Sequence, residues 1–227
     1  MAYFLSMLVS GLKLGSIYAI VAIGYSIVYG ILRLINFAHG DIMTVGVYII
    51  LVLMNRMGVP LLACVVISVA LSVLVGLLIE RLAYRPLRDA SEETTLISSL
   101  AVSALLQNLL QIIFSAQRQP FLLPSWLSKG HQIGPVNLST VNIITFIVTA
   151  IFLVALYFIL KKTKIGTAMR ACSENMQASR LMGINVNTTI SLTFAIGSAL
   201  AAFASLFYGM TYVYIKPTTG AMPGIKA

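Results

Sequence analysis

Few residues in this sequence could do chemistry, and the densest group of them is Asn36-Phe-Ala-His-Gly-Asp41. A histidine beside a carboxylate is the commonest general acid–base pair, so His39 and Asp41 make a membrane-embedded enzyme one reading. No serine or cysteine nucleophile and no metal-ligand spacing accompanies them. The same polar cluster, set next to Gly40 between two apolar runs, is costly in lipid unless protein or water surrounds it. It reads either as a broken helix whose freed backbone groups line a translocation pathway, or as a short cytoplasmic turn in which Asp41 starts the next helix. A second polar group, Gln107, Asn108 and Gln111, falls in another apolar run. Gln107 and Gln111 share a helix face, and buried amides either bond across helices or line a polar conduit. Together with Asn36, His39 and Asp41 they are the candidate pathway residues. Lys13 stands near the start of the first apolar run, where its stem can carry the ammonium to the interface. Asp41, His39 or Lys13 would be the coupling group of an ion-gradient-driven secondary transporter, the alternative transport reading.

The elements that must position these groups are apolar. Of 227 residues 59% are hydrophobic and 9% charged, against about a quarter charged in a soluble domain, and the mean hydropathy is +0.97. The expected fold is an all-α polytopic bundle, a single transmembrane domain over 1–227. Six spans are read at residues 7–31, 40–53, 61–79, 96–114, 141–160 and 189–214, the second of them short. No removable signal peptide is expected at the N-terminus. Small residues at intervals of four, Gly11 and Gly15, then Gly197, Ala201 and Ser205, let neighbouring helices approach closely. Cys64 and Cys172 read as structural thiols.

The net charge of +9 does not point to nucleic acid, because the basic residues gather in loops. With the N-terminus outside, nine Lys and Arg fall on inner connections: Arg33, Arg81, Arg85, Arg88, Lys161, Lys162, Lys164, Arg170 and Arg180. Five fall outside: Arg56, Arg118, Lys129, Lys216 and Lys226. That bias favours the N-terminus outside. The outer connection over 115–140, rich in proline and glycine (Pro120, Pro124, Gly130, Gly134, Pro135), is a helix-free cap or partner platform. Its Trp126 suits the outer interface.

The inner loop over 161–188 carries a further pattern. Residues 167–183 read as one amphipathic helix with Ala168, Cys172 and Met176 on one side and Arg170, Glu174 and Gln177 on another. Such a helix lies on the lipid interface or fits a groove on a soluble partner. Gln177-Ala-Ser-Arg-Leu-Met-Gly183 resembles the coupling motif of ABC importer permeases, Glu-Ala-Ala, three residues, then Gly. The chain as a whole resembles the branched-chain amino-acid ABC transporter permeases of the LivH type. The resemblance rests on Gly11-Leu-Lys-Leu-Gly-Ser-Ile-Tyr18, Gly24-Tyr-Ser-Ile-Val-Tyr-Gly30, Ile35-Asn-Phe-Ala-His-Gly-Asp41, Arg85-Pro-Leu-Arg88, Gly166-Thr-Ala-Met-Arg-Ala171 and Leu181-Met-Gly-Ile-Asn185, in that order.

The resemblance implies a pore subunit in a bacterial or archaeal cytoplasmic membrane, pairing with a second permease. Cytoplasmic ATPase subunits dock beneath, and an external binding protein delivers branched-chain or other hydrophobic amino acids. It implies no cofactor on this chain, ATP being used by the partner; the sequence holds no Gly-x-x-x-x-Gly-Lys-[Ser/Thr] phosphate loop. It also places Arg170, Glu174, Gln177, Ala178, Arg180 and Gly183 at the ATPase contact. Two departures from the pattern are visible. Gln177 replaces the motif's glutamate, and the sequence ends at Gly224-Ile-Lys-Ala227 where the family continues through further spans, so a C-terminally truncated member is expected.

Overall fold

The computed structural model describes residues 2–32, 35–88, 90–122, 127, 130–133 and 136–226. Arg33, Pro124, Trp126, Lys129, Gly134 and Pro135, used above, lie outside them. Six helices are long and apolar enough to cross a membrane, so the chain is a multi-pass membrane protein. They are α1 (Ala2–Leu32), α2 (Ala38–Leu51), α3 (Leu61–Ile79), α4 (Glu92–Phe114), α5 (Thr140–Lys162) and, after the short helices α6 (Lys164–Glu174) and α7 (Met176–Leu181), α8 (Val186–Thr211). A last short helix, α9, covers Ala221–Lys226. α2 runs on through a π-helical turn, Val52–Arg56, and α3 through another, Glu80–Tyr84, and a 3-10 turn, Arg85–Leu87. The six spans sit within a few residues of the apolar runs that predict them.

Burial divides the helices into two classes. Two-thirds of the apolar windows of α2 and α8 are buried (67% each), against 11% for α4 and 17% for α5. α8 is therefore the central post, packed on α1, α2 and α3, while α4 and α5 turn most of their surface outward. Gly197, Ala201 and Ser205 are all buried on α8, as their spacing predicts. Gly11 and Gly15 are not in a packed face: a Cβ on either would meet nothing within 4 Å. Among the described residues, the GxxxG spacing there meets no neighbouring helix.

The two ends of the bundle differ. At one end the connection read above as helix-free holds β1 (Gln119–Pro120), which pairs antiparallel with β4 (Tyr214–Ile215) beyond α8, and the antiparallel pair β2 (Gly130–Ile133) with β3 (Val136–Ser139). At the other, α6 and α7 join α5 to α8. Polar residues set the helix starts there. Ser91 accepts from Thr94 N ahead of Glu92 and Glu93 on α4, Thr163 from Gly166 N on α6, Asn175 from Ala178 N on α7 and Asn185 from Thr188 N on α8. Each oxygen satisfies one of the amide donors that a helix N-terminus leaves free.

Lys216 follows β4, which pairs with β1 of the connection read as outer. After β4 the chain turns back, and α9 packs on the start of α2. The Gly220 amide donates to Thr44 Oγ1 at 2.8 Å, and that hydroxyl donates to the Gly40 carbonyl. A Cβ on Gly40 would overlap the Gly220 carbonyl, and one on Gly220 would overlap the Gly40 carbonyl. Only glycine at both positions permits this approach.

Candidate functional site

The polar segment enters the bundle. Asn36, His39 and Asp41 are 3%, 1% and 0% exposed, so the segment is buried in protein rather than forming a solvated turn. Depth can be read along its neighbours. Ser103, which donates to Asp41, is eleven residues into α4, and Gly197, beside His39, is eleven residues into α8. Eleven residues of helix span on the order of 16 Å, half of a ~30 Å hydrocarbon core. α2 thus begins near mid-bundle, which is why it is short.

Each polar residue of the segment reaches a different element. The Tyr84 hydroxyl, in the turn that ends α3, donates to Asn36 Oδ1 at 2.8 Å. The His39 ring is wedged between α1 and α8, edge-on to Tyr25 (centroids 6.1 Å apart) and close to Gly24 and Gly197. A Cβ on Gly24 would stand 3.0 Å from His39 Nε2, so the ring fits only because Gly24 lacks one. Asp41 faces α4: Ser103 Oγ donates to Oδ2 at 2.5 Å and Gln107 Nε2 to Oδ1 at 3.0 Å. Among the described residues, Asn36 Nδ2, His39 Nε2 and the Tyr48 hydroxyl make no hydrogen bond despite burial. Such atoms mark positions where water or a polar ligand can pair. His39 and Asp41, two apart on a helix, point to different neighbours, so the structure does not assemble them into an acid–base pair.

The three amides of α4 separate. Gln107 joins Asp41; Asn108 is exposed and donates to the Ala104 carbonyl at 2.7 Å; Gln111, one turn on, is half-buried. Ser103 is missing from the sequence reading, although it lies four residues before Gln107 on the same face. A larger omission is Glu80. It is 2% exposed, ion-paired with Arg88, and accepts from Ser191 Oγ at 2.9 Å. Arg88 also donates to Asn187 Oδ1 at 2.5 Å. This network ties the end of α3 to the first turn of α8. Sequence counting treats Arg88 as a loop charge; the signal it misses is the eight-residue interval to a carboxylate at the close of an apolar run.

The residues of the loop over 161–188 form two helices instead of one. Asn175 takes an extended backbone (φ −156°, ψ 110°) and its side chain caps α7. A short polar side chain that bonds to nearby amides competes with helix continuation. Cys172 and Met169 are buried, Ala168 and Met176 half-buried, while Arg170, Glu174, Gln177, Ala178 and Arg180 are exposed. α7 ends in a Schellman turn, with Gly183 N donating to Arg180 O and Ile184 N to Ser179 O. Gly183 has φ +81°, which L side chains adopt at a cost, so the motif's glycine is required by the turn. The turn leaves Leu181 and Met182 89% and 81% exposed at the tip, just ahead of Gly183, Ile184 and the α8 cap Asn185. Arg170 is otherwise engaged: it donates to the Leu160 carbonyl at 2.5 Å and to Thr167 Oγ1 at 3.4 Å, closing the end of α5.

Comparison with known proteins agrees with this architecture. A family model described as "Branched-chain amino acid transport system / permease component" matches residues 7–227. The chain is 40% identical over 236 aligned residues to the high-affinity branched-chain amino acid transport system permease protein BraD of Pseudomonas aeruginosa. That match covers 99% of this chain and 77% of BraD. It is 36% identical to LivH of Escherichia coli K12, with the same coverage. A probable LivH from Methanocaldococcus jannaschii is 31% identical over 82% of this chain and 60% of its own length. No solved structure matches the chain.

Proposed function

Because this chain belongs to the permease-component family of branched-chain amino-acid transport systems, we propose that it is the membrane-spanning subunit of an ATP-driven importer. Its cargo is a branched-chain or other hydrophobic amino acid received from an external binding protein. It sits in the cytoplasmic membrane of a bacterium or archaeon with its N-terminus outside and the α6–α7 end in the cytoplasm, paired with a second permease. ATP is bound and hydrolysed by separate subunits docked on α7. The observation that carries this reading is the path from α7 to the buried polar segment. The exposed tip, Arg180, Leu181 and Met182, passes through one glycine turn into α8, and α8 holds His39 against α1 at Gly197. A rigid helix that joins a protruding tip to a mid-bundle polar site is a suitable lever for alternating access.

In this reading Asn36, His39, Asp41 and Gln107 line or gate the pathway. Their unpaired atoms, Asn36 Nδ2 and His39 Nε2, offer polar partners to a passing ammonium or carboxylate. Gln177, Ala178, Arg180 and Gly183, with Leu181 and Met182, form the ATPase contact. Glu174 flanks it, and Arg170 supports it from behind by fixing α6 to α5. The test is affinity purification of the tagged chain from its native membrane. An ATPase and a second permease should co-purify, and Leu181→Asp with Met182→Asp should release the ATPase while the permease pair survives. Recovery of the chain alone after mild solubilisation, or an ATPase retained by that variant, would refute the docking assignment.

A further inference from the structure

A cavity of about 300 Å³ opens on the flank of the bundle at the α6–α7 end, between α1 and α5. Its walls are Ile23, Ile27 and Ile31 of α1 and Leu156 and Leu160 of α5, and Arg170 and Ser173 of α6 close one end. It is apolar along the membrane and cationic at its mouth. Residues 160–174 carry four basic residues, Lys161, Lys162, Lys164 and Arg170, against one acidic residue, Glu174. The four basic side chains are exposed. Lys161 is steadied over the Tyr157 ring, 5.3 Å from its centroid. Arg170 uses one donor on Leu160 O and one on Thr167 Oγ1, fewer than the five its guanidinium carries.

We propose that this groove binds an anionic phospholipid, one acyl chain lying along Ile23, Ile27 and Leu156 and the phosphate meeting Arg170 and the α5–α6 lysines. The chemistry selects an amphiphile with a negative head. An apolar slot between membrane helices that ends in a basic cluster at the interface satisfies both halves of such a lipid and neither a soluble anion nor a neutral lipid alone. The lipid would brace α6 against α1 and α5, and so the base from which α7 projects. The site is independent of what the protein transports.

Two variants separate the halves of the proposal. Arg170→Gln removes the charge and leaves a shorter, polar side chain that still donates hydrogen bonds. Gly30→Leu fills the groove without altering charge, since a Cβ on Gly30 meets nothing within 4 Å. The readout is native mass spectrometry of the full chain, with whatever subunits it retains, titrated with phosphatidylglycerol or phosphatidylcholine and separately with glycerol phosphate. The wild type should retain phosphatidylglycerol in preference to phosphatidylcholine, with no displacement by glycerol phosphate. Arg170→Gln should lower that preference about fivefold, the worth of one basic residue at an anionic interface. Gly30→Leu should lower phosphatidylglycerol retention by a similar factor. Equal retention of the two lipids by the wild type, displacement by glycerol phosphate, or unchanged retention in Gly30→Leu would overturn the groove as a lipid site.

Discussion

Asn36, His39 and Asp41 stand within six residues of one another and bind three different parts of the molecule: the end of α3, the α1–α8 seam and α4. A disturbance of any one neighbour is therefore felt at the same short segment. The tightest of these fits is at Gly24. Gly24→Ala should destabilise the bundle by about 1–3 kcal/mol, the usual cost of overpacking, because the new methyl meets both the His39 ring and the Gly197 carbonyl. Thermal unfolding in detergent measures it, and an unchanged midpoint would show the ring free to move. The Glu80–Arg88 pair offers a second single-residue test. Glu80→Ala strands a guanidinium that is 11% exposed, and loss of one partner of a buried pair costs about 3–5 kcal/mol. Adding Arg88→Ala to that variant should recover a good part of the loss, and a double-mutant cycle reads the coupling directly. Additive losses would mean that the two side chains act separately.

Among the elements, α7 is the most exposed to a simple test, because its two ends depend on one residue each. Asn175→Ala removes the N-cap, worth ~1 kcal/mol, and Gly183→Ala forces an L side chain into the left-handed region at about 1–2 kcal/mol. Both changes lie far from the bundle core. They should leave the melting temperature near wild type while transport-coupled ATP hydrolysis falls several-fold, and full coupling in both would argue against α7 as the lever. The sequence makes the long elements legible, because an apolar run of about 20 residues has few fates besides a span. It makes α7's end legible through Gly183. It does not reveal the break at Asn175, since one amphipathic period fits a continuous helix as well as two short ones. Glu80 is equally hidden: its partner is reached across a turn, and Ser191 lies 111 residues away. The return of α9 onto α2 leaves only a trace, two glycines whose need for each other is invisible until the backbones meet.

At the scale of the whole molecule, the outward faces of α4 and α5 and the open Gly11–Gly15 face of α1 give the bundle broad apolar flanks. The orientation of the bundle across the membrane is open to direct labelling, because both native cysteines are buried and give little background. An impermeant maleimide on intact cells should label Met57→Cys and spare Met182→Cys, positions 66% and 81% exposed at opposite ends, and inverted vesicles should reverse the pattern. Labelling of Met182→Cys from outside would invert the orientation. The bond from Gly220 to Thr44 also has a temporal meaning. Its two ends are separated by 176 residues, so at a synthesis rate of ~5–20 residues per second the segment around Gly40 waits roughly 10–35 s for this neighbour. During that interval Asn36, His39 and Asp41 are already in the membrane without α4, α8 or α9 around them in full. A ribosome slowed over this stretch would lengthen the time those polar groups spend in lipid without their partners, where each unsatisfied group is costly.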